Sequence, residues 1–178
     1  MKRVIAMAAV ILVLSMGCGK GDPEPKQEQE QEQVAADQWV PFDVGLALAE
    51  KTDRPVIIDF YTSWCRWCKV MDEKTFSDPE VKAYLAEHFV TIRLNAESRN
   101  ERYSFRGKKY SPVELTRNFG VRGFPSLAYL DKEGELITVV PGFVPKETFL
   151  PFLHYIQKEC YKRQMSFDDF LKKQEECE

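Results

Sequence analysis

The sequence predicts an α/β domain, a mixed β-sheet with helices on both faces. Three observations carry that expectation. Short β-branched and aromatic runs, Val56 to Tyr61 and Phe89 to Leu94, alternate with helical patterns. Two later apolar runs, Ser126 to Leu130 and Glu135 to Val140, are separated only by the turn Asp131-Lys132-Glu133-Gly134, which makes an antiparallel hairpin. The first run delivers a Cys-x-x-Cys pair, Cys65 and Cys68, to the start of a helical segment.

The elements follow in order. Phe42, Leu46 and Ala49 recur at helical spacing with Asp43, Glu50 and Lys51 between them, so a helix is expected over about 42–51, closed by Arg54-Pro55. A second helix is expected from near Cys65 to about Thr75. Ser77-Asp78-Pro79-Glu80 is a start signal: a polar cap, a proline in the first turn and an acid. That helix should reach about His88, with Val81, Tyr84 and Leu85 inward. Residues 95–110 are polar and charged without a period and read as a long loop. Pro112 to Phe119 reads as a short helix stopped by Gly120. Pro145 opens a helix expected to reach about Tyr161, and Ser166-Phe167-Asp168-Asp169 opens a last short one.

The 178 residues divide by composition. Residues 1–17 read as a secretory signal: Lys2 and Arg3, then an apolar stretch too short to remain as a membrane span. Leu14-Ser15-Met16-Gly17-Cys18 resembles a bacterial lipobox, which would lipidate Cys18 and anchor the chain in the cell envelope. An ordinary signal with a chance cysteine is the alternative. Residues 18–38, with Gln and Glu alternating over 27–33, hold almost no apolar side chain and read as a disordered tether or a solvated helix. Residues 39–161 form the expected domain, and 162–178 a helical extension. The net charge is −3 with no basic patch, which argues against a nucleic-acid partner. If Cys18 carries lipid, four of the five cysteines remain, in a compartment where disulfides persist. The simplest of three pairings joins Cys65 to Cys68 and Cys160 to Cys177. A Cys160–Cys177 bridge would pin the last segment to the domain; a second redox pair or free thiols are the alternatives.

Several segments, in order, resemble the thioredoxin superfamily. Asp59-Phe60-Tyr61-Thr62-Ser63-Trp64-Cys65 through Cys68-Lys69 is similar to the family's strand and active-site turn. Thr91-Ile92-Arg93-Leu94-Asn95 is similar to its central strand. Phe119-Gly120-Val121-Arg122-Gly123-Phe124-Pro125-Ser126 resembles the segment carrying the family's cis-proline, and Pro141-Gly142-Phe143 its glycine after the hairpin. Phe76-Ser77-Asp78-Pro79-Glu80-Val81 further resembles the C-terminal periplasmic domain of DsbD-type thiol:disulfide interchange proteins. The resemblance implies a thioredoxin fold and a thiol–disulfide oxidoreductase without cofactor. It also implies disulfide-containing envelope proteins as partners, with a transmembrane electron donor.

Each site residue then has an expected task. Cys65, at a helix start and beside Arg66, is the attacking thiol and the member expected to be exposed. Cys68, one turn on, resolves the mixed disulfide. A zinc half-site would need two more ligands, and His88 and His154 lie on expected helices away from the pair, so no metal is assigned. Asp59 is an acid inside an apolar strand. Burial should raise its pKa, and the resemblance makes it the proton acceptor for Cys68; an Asp at the strand edge, facing water, is the alternative. Trp64, Trp67, Phe124 and Pro125 are the expected substrate-binding residues, with a cis bond before Pro125 implied by the resemblance and a trans bond the alternative. Arg66-Trp67 is an unfamiliar insert between the cysteines, so the redox potential cannot be inherited. An oxidase or isomerase, or a copper-handling or assembly chaperone using the thiols as soft ligands, are the competing functions.

Overall fold

The run of apolar and aromatic residues from Val56 forms the strand on which the rest is built. The computed structural model describes residues 39–173 and 176–177; the expectations for residues 1–38, Cys18 among them, lie outside these. In chain order the elements are α1 (Phe42–Thr52), β1 (Val56–Tyr61), α2 (Arg66–Met71), α3 (Pro79–His88), β2 (Val90–Asn95), β3 (Tyr103–Phe105) and β4 (Lys108–Tyr110). There follow α4 (Pro112–Asn118), β5 (Ser126–Leu130), β6 (Leu136–Pro141), α5 (Lys146–Gln157) and α6 (Phe167–Lys172). The central sheet has the order β2-β1-β5-β6. β1 and β2 are parallel, while β5 runs antiparallel to both β1 and β6. This is the α/β thioredoxin fold.

Strand alternation divides the core between the two faces. Val56, Ile58 and Phe60 point to one side, where they join Phe42, Leu115 and Phe119 from α1 and the end of α4. Ile57 points to the other, with Met71, Val81, Leu85, Phe149 and Leu153. By the same alternation Asp59 lies on the Ile57 side, the face that carries α2. At Gly45 a Cβ would fall 2.6 Å from Ile92 Cδ1, so α1 sits directly on β2 through its missing side chain.

Caps set the helix boundaries. Asp78 accepts from the N–H groups of Glu80 and Val81 at the start of α3, and Pro79 occupies the first turn. Ser111 and Glu114 form a reciprocal capping box at α4.

Three elements differ from expectation. The segment 95–110, read as a loop, contains the β3–β4 hairpin. Arg106 and Gly107 both have positive φ, 50° and 74°, which two-residue hairpin turns require and which an Arg-Gly pair does not advertise. The helix expected to run from Cys65 to Thr75 changes pitch after Met71 into a π-helical turn, Asp72–Phe76, closed by Ser77 N–H to Asp72 O at 2.9 Å. The helix expected to reach Tyr161 stops at Gln157. Glu159 is left-handed with φ 54°, and a 3-10 turn, Cys160–Arg163, follows. That reversal returns Cys160 to the core and lets α6 lay Phe170 into the same cluster as Phe149.

Candidate active site

β1 ends at Tyr61, and a four-residue turn brings the chain to α2. Cys65 N–H donates to Thr62 O at 3.2 Å, which closes that turn. Cys65 is the N-cap of α2, and Cys68 N–H donates to Cys65 Sγ at 3.1 Å. An amide aimed at Sγ stabilises negative charge there and so favours thiolate in the reduced state. The two cysteines are joined as a disulfide, their Cα atoms 5.3 Å apart. Cys65 was expected to be the exposed member; in this bonded state it is 4% exposed and Cys68 3%. Both are buried, while the indoles of Trp64 and Trp67 carry the exposed surface beside them in the chain.

Asp59 is 1% exposed. In the parallel register it stands opposite Arg93, whose Nε lies 3.1 Å from Asp59 Oδ2. The pair is close but misaligned: neither carboxylate oxygen and not Arg93 Nε has a hydrogen-bond partner among the described residues. Burial therefore dominates, and the Asp59 pKa rises from 3.8 to about 7. Arg93 opposes the rise, and the negative charge of Asp72 reinforces it. Arg93 is drawn the other way by Asp72, whose Oδ1 accepts from Nη2 at 2.7 Å. Its guanidinium also lies over Tyr61, 4.8 Å from the ring centroid, and 5.7 Å from that of Trp39. A cavity of about 190 Å³, open to solvent, runs past Cys68, Thr62, Asp72 and Arg93. It has room for several waters between the inner cysteine and Arg93.

Aromatic pairs flank the disulfide. Trp64 meets Phe124 edge-on with centroids 6.0 Å apart, and Trp67 meets Phe143 at 5.7 Å. The Phe124–Pro125 bond is cis, and Pro125 O accepts from Gly142 N–H at 2.8 Å, tying this loop to the end of β6.

A family model for a thioredoxin-like domain matches residues 42–157. The chain belongs to that family. Among curated relatives of this thioredoxin-like chain, the thiol:disulfide interchange protein DsbD of Salmonella typhi is 32% identical over 114 residues. The match covers 63% of this chain and 18% of that protein. The Escherichia coli K12 DsbD is 32% identical over 109 residues, 60% of this chain and 18% of its own length. The chain thus spans about a fifth of the curated relatives it matches. Among solved structures, a thioredoxin from Thermus thermophilus is 28% identical with a TM-score of 0.55, covering 66% of this chain and 85% of its own. A thioredoxin-fold protein from Helicobacter pylori, 22% identical, has a TM-score of 0.59 and covers 83% and 91%.

Within the thioredoxin-like domain, Cys65, Cys68, Trp64, Trp67, Phe124 and Pro125 share one end of the molecule with Asp59 beneath. Cys160 and Cys177 are also joined as a disulfide, but neither lines the active-site cavity. His88 and His154 flank Tyr84, with ring centroids at 4.3 and 4.6 Å. No group of three or more metal-ligating side chains occurs among the described residues, and none of the described helices is long and apolar enough to cross a membrane.

Two site residues escaped the sequence reading. Asp72 follows Cys68 by four, one helical turn, which places both on one face of α2 and its extension. Glu97 follows β2 at the end where β1 enters the active-site turn. Its carboxylate accepts from Ser63 N–H at 2.7 Å and Ser63 Oγ at 2.9 Å. The Ser63 amide, the Ser63 hydroxyl and the Trp64 side chain hold its pKa below the ordinary carboxylate value. The signal for Glu97 was the parallel β1–β2 register, which brings the segments after both strands together.

Proposed function

We propose that this chain reduces protein disulfides in the bacterial cell envelope, held to the membrane by lipid on Cys18 through residues 18–38. The coarser assignment, a thiol–disulfide oxidoreductase of thioredoxin-like type, rests on the family match, the curated relatives and the Cys65–Cys68 pair. One observation carries the mechanism: a closed Cys-x-x-Cys disulfide at a helix start, beside a cavity that reaches Arg93, the neighbour of a buried carboxylate, Asp59, with a pKa of about 7.

In the reduced protein, Cys65 thiolate attacks one sulfur of a substrate disulfide. A Cys65–substrate bond forms, the substrate S–S bond breaks, and the departing thiolate takes a proton from water. Cys68 then loses its proton to ionised Asp59 through water in the cavity and attacks Cys65 Sγ. The Cys65–Cys68 bond forms and the substrate leaves with its second thiol. Two electrons have moved from the dithiol to the substrate. A dithiol donor, transmembrane by analogy with the DsbD relatives, restores the pair by the reverse exchange. An acceptor with a pKa near 7 can accept and return this proton at neutral pH, which an ordinary Asp at 3.8 would do poorly. Trp64, Trp67, Phe124 and Pro125 form the substrate platform around Cys65.

Trapping tests this reading. Cys68→Ser should accumulate mixed disulfides with envelope proteins, and adding Cys65→Ser should abolish them. Absence of any adduct would sink the oxidoreductase function. A Cys65/Cys68 potential well above about −180 mV would reverse the direction to oxidase or isomerase.

A further inference from the structure

We propose that the active-site face selects disulfides lying in acidic stretches of polypeptide that also carry apolar side chains. This names a substrate class for the reductase function above and rests on it. Three segments ring the Cys65–Cys68 disulfide: residues 62–71, 120–125 and 141–145. They carry three cations, Arg66, Lys69 and Arg122, and no acid, in a chain whose net charge is −3. All three cations are exposed, and none forms an ion pair with a described carboxylate.

Of the acids near this face, Asp72 is paired with Arg93 and Asp59 is buried. Glu97 is held ionised by the neutral Ser63 amide and hydroxyl, and Glu73 is exposed one turn after Lys69. The three cations outnumber these two acids, so the face presents net positive charge to an incoming chain. Between the cations stand two indoles, Trp64 at 68% and Trp67 at 57% exposed, while most other large apolar side chains are covered. Phe124 and Phe143 support them edge-on and at a tilt. Rings already oriented lose little freedom when a partner packs on them. Cations attract and orient acidic partners during encounter, and the indoles supply apolar contact once it is made. Three cations without a longer basic track are too few for the phosphate ladder of a nucleic acid, so a polypeptide is the occupant that fits.

The test uses disulfide-closed peptides of one sequence, with Leu and Phe fixed and the residues flanking cysteine set to Asp, Lys or Gln. Reduction by the full chain in its dithiol form is followed at low and high salt. The Asp peptide should react about tenfold faster than the Lys peptide at low ionic strength, the ratio falling toward one as salt screens the face. Arg122→Gln should lower the ratio; being a ratio, it is insensitive to any general loss of rate. Serine-for-cysteine versions, titrated by tryptophan fluorescence, read the same preference without chemistry. A ratio of one or below, or one indifferent to salt, overturns the proposal. If even the Gln peptide is not reduced, the reductase function fails instead, and the serine peptides still decide the acidic preference.

Discussion

Replacing Asp59 by Asn should make the protein more stable at alkaline pH and remove a pH dependence that the wild type carries. The carboxyl is 1% exposed, and its pKa rises from 3.8 to about 7 on folding. Below pH 3.8 both folded and unfolded chains hold the proton, and Asp59 contributes nothing. Between 3.8 and 7 the unfolded chain ionises while the native one keeps its proton, so stability falls as pH rises through that window; above 7 the penalty is constant. At about 1.4 kcal/mol per pKa unit the full penalty is about 4 kcal/mol, of which about 3 accrues between pH 5 and 8. Asparagine removes the ionisation but leaves Arg93 with Asp72 as its one remaining charged partner, so the net gain at pH 8 should be about 2–4 kcal/mol. Urea unfolding of the disulfide form at pH 5 and pH 8 measures both quantities. In reduced protein, release of substrate from the Cys65 adduct should also lose its inflection near pH 7. A wild type equally stable at pH 5 and 8, or an Asp59→Asn variant less stable at pH 8, would refute the assignment of a buried, proton-holding carboxylate.

Three other variants test the scaffold. Gly45→Ala drives a methyl into Ile92 and should cost about 1–3 kcal/mol, read as a lowered Tm, with reduction of small disulfides retained. Cys160→Ala with Cys177→Ala opens a loop with a sequence separation of 17 and should cost about 3 kcal/mol in urea unfolding, while the Cys65–Cys68 couple keeps its potential. Ser111→Ala breaks the capping box of α4 and should cost about 1 kcal/mol by the same measurement.

Much of the fold was legible because it is written in period and punctuation. The β-branched run at Val56 and the Pro79 and Ser111 caps each encode a local choice that the tertiary structure keeps. What sequence reasoning missed depends on pairing between distant segments. The Arg106-Gly107 turn has no strong hairpin signal, and its strands hold because Tyr103 and Phe105 pack on Phe42. The stop at Gln157 reflects the burial of Cys160 and Phe170, which no helical propensity announces. Within the site, Cys65 and Cys68 could be read from spacing alone. Asp59 could be read from its place in an apolar strand and Arg93 as a charge to compensate it, but the misalignment of the pair could not. That depends on Arg93 reaching past Asp59 to Asp72, a choice made in three dimensions.

The register of β1 on β2 has a consequence for repeated turnover. Asp59 and Arg93 hang from neighbouring strands whose spacing is fixed by the ladder between them. When Asp59 gains or loses a proton, the two cannot draw together or apart by moving backbone. The far end of the guanidinium is tied to Asp72 and borders the open cavity, so adjustment falls to the side chains and to solvent that enters there. Charge can therefore change beneath the disulfide while the framework stays still, and the sheet returns to the next substrate in the shape it had for the last.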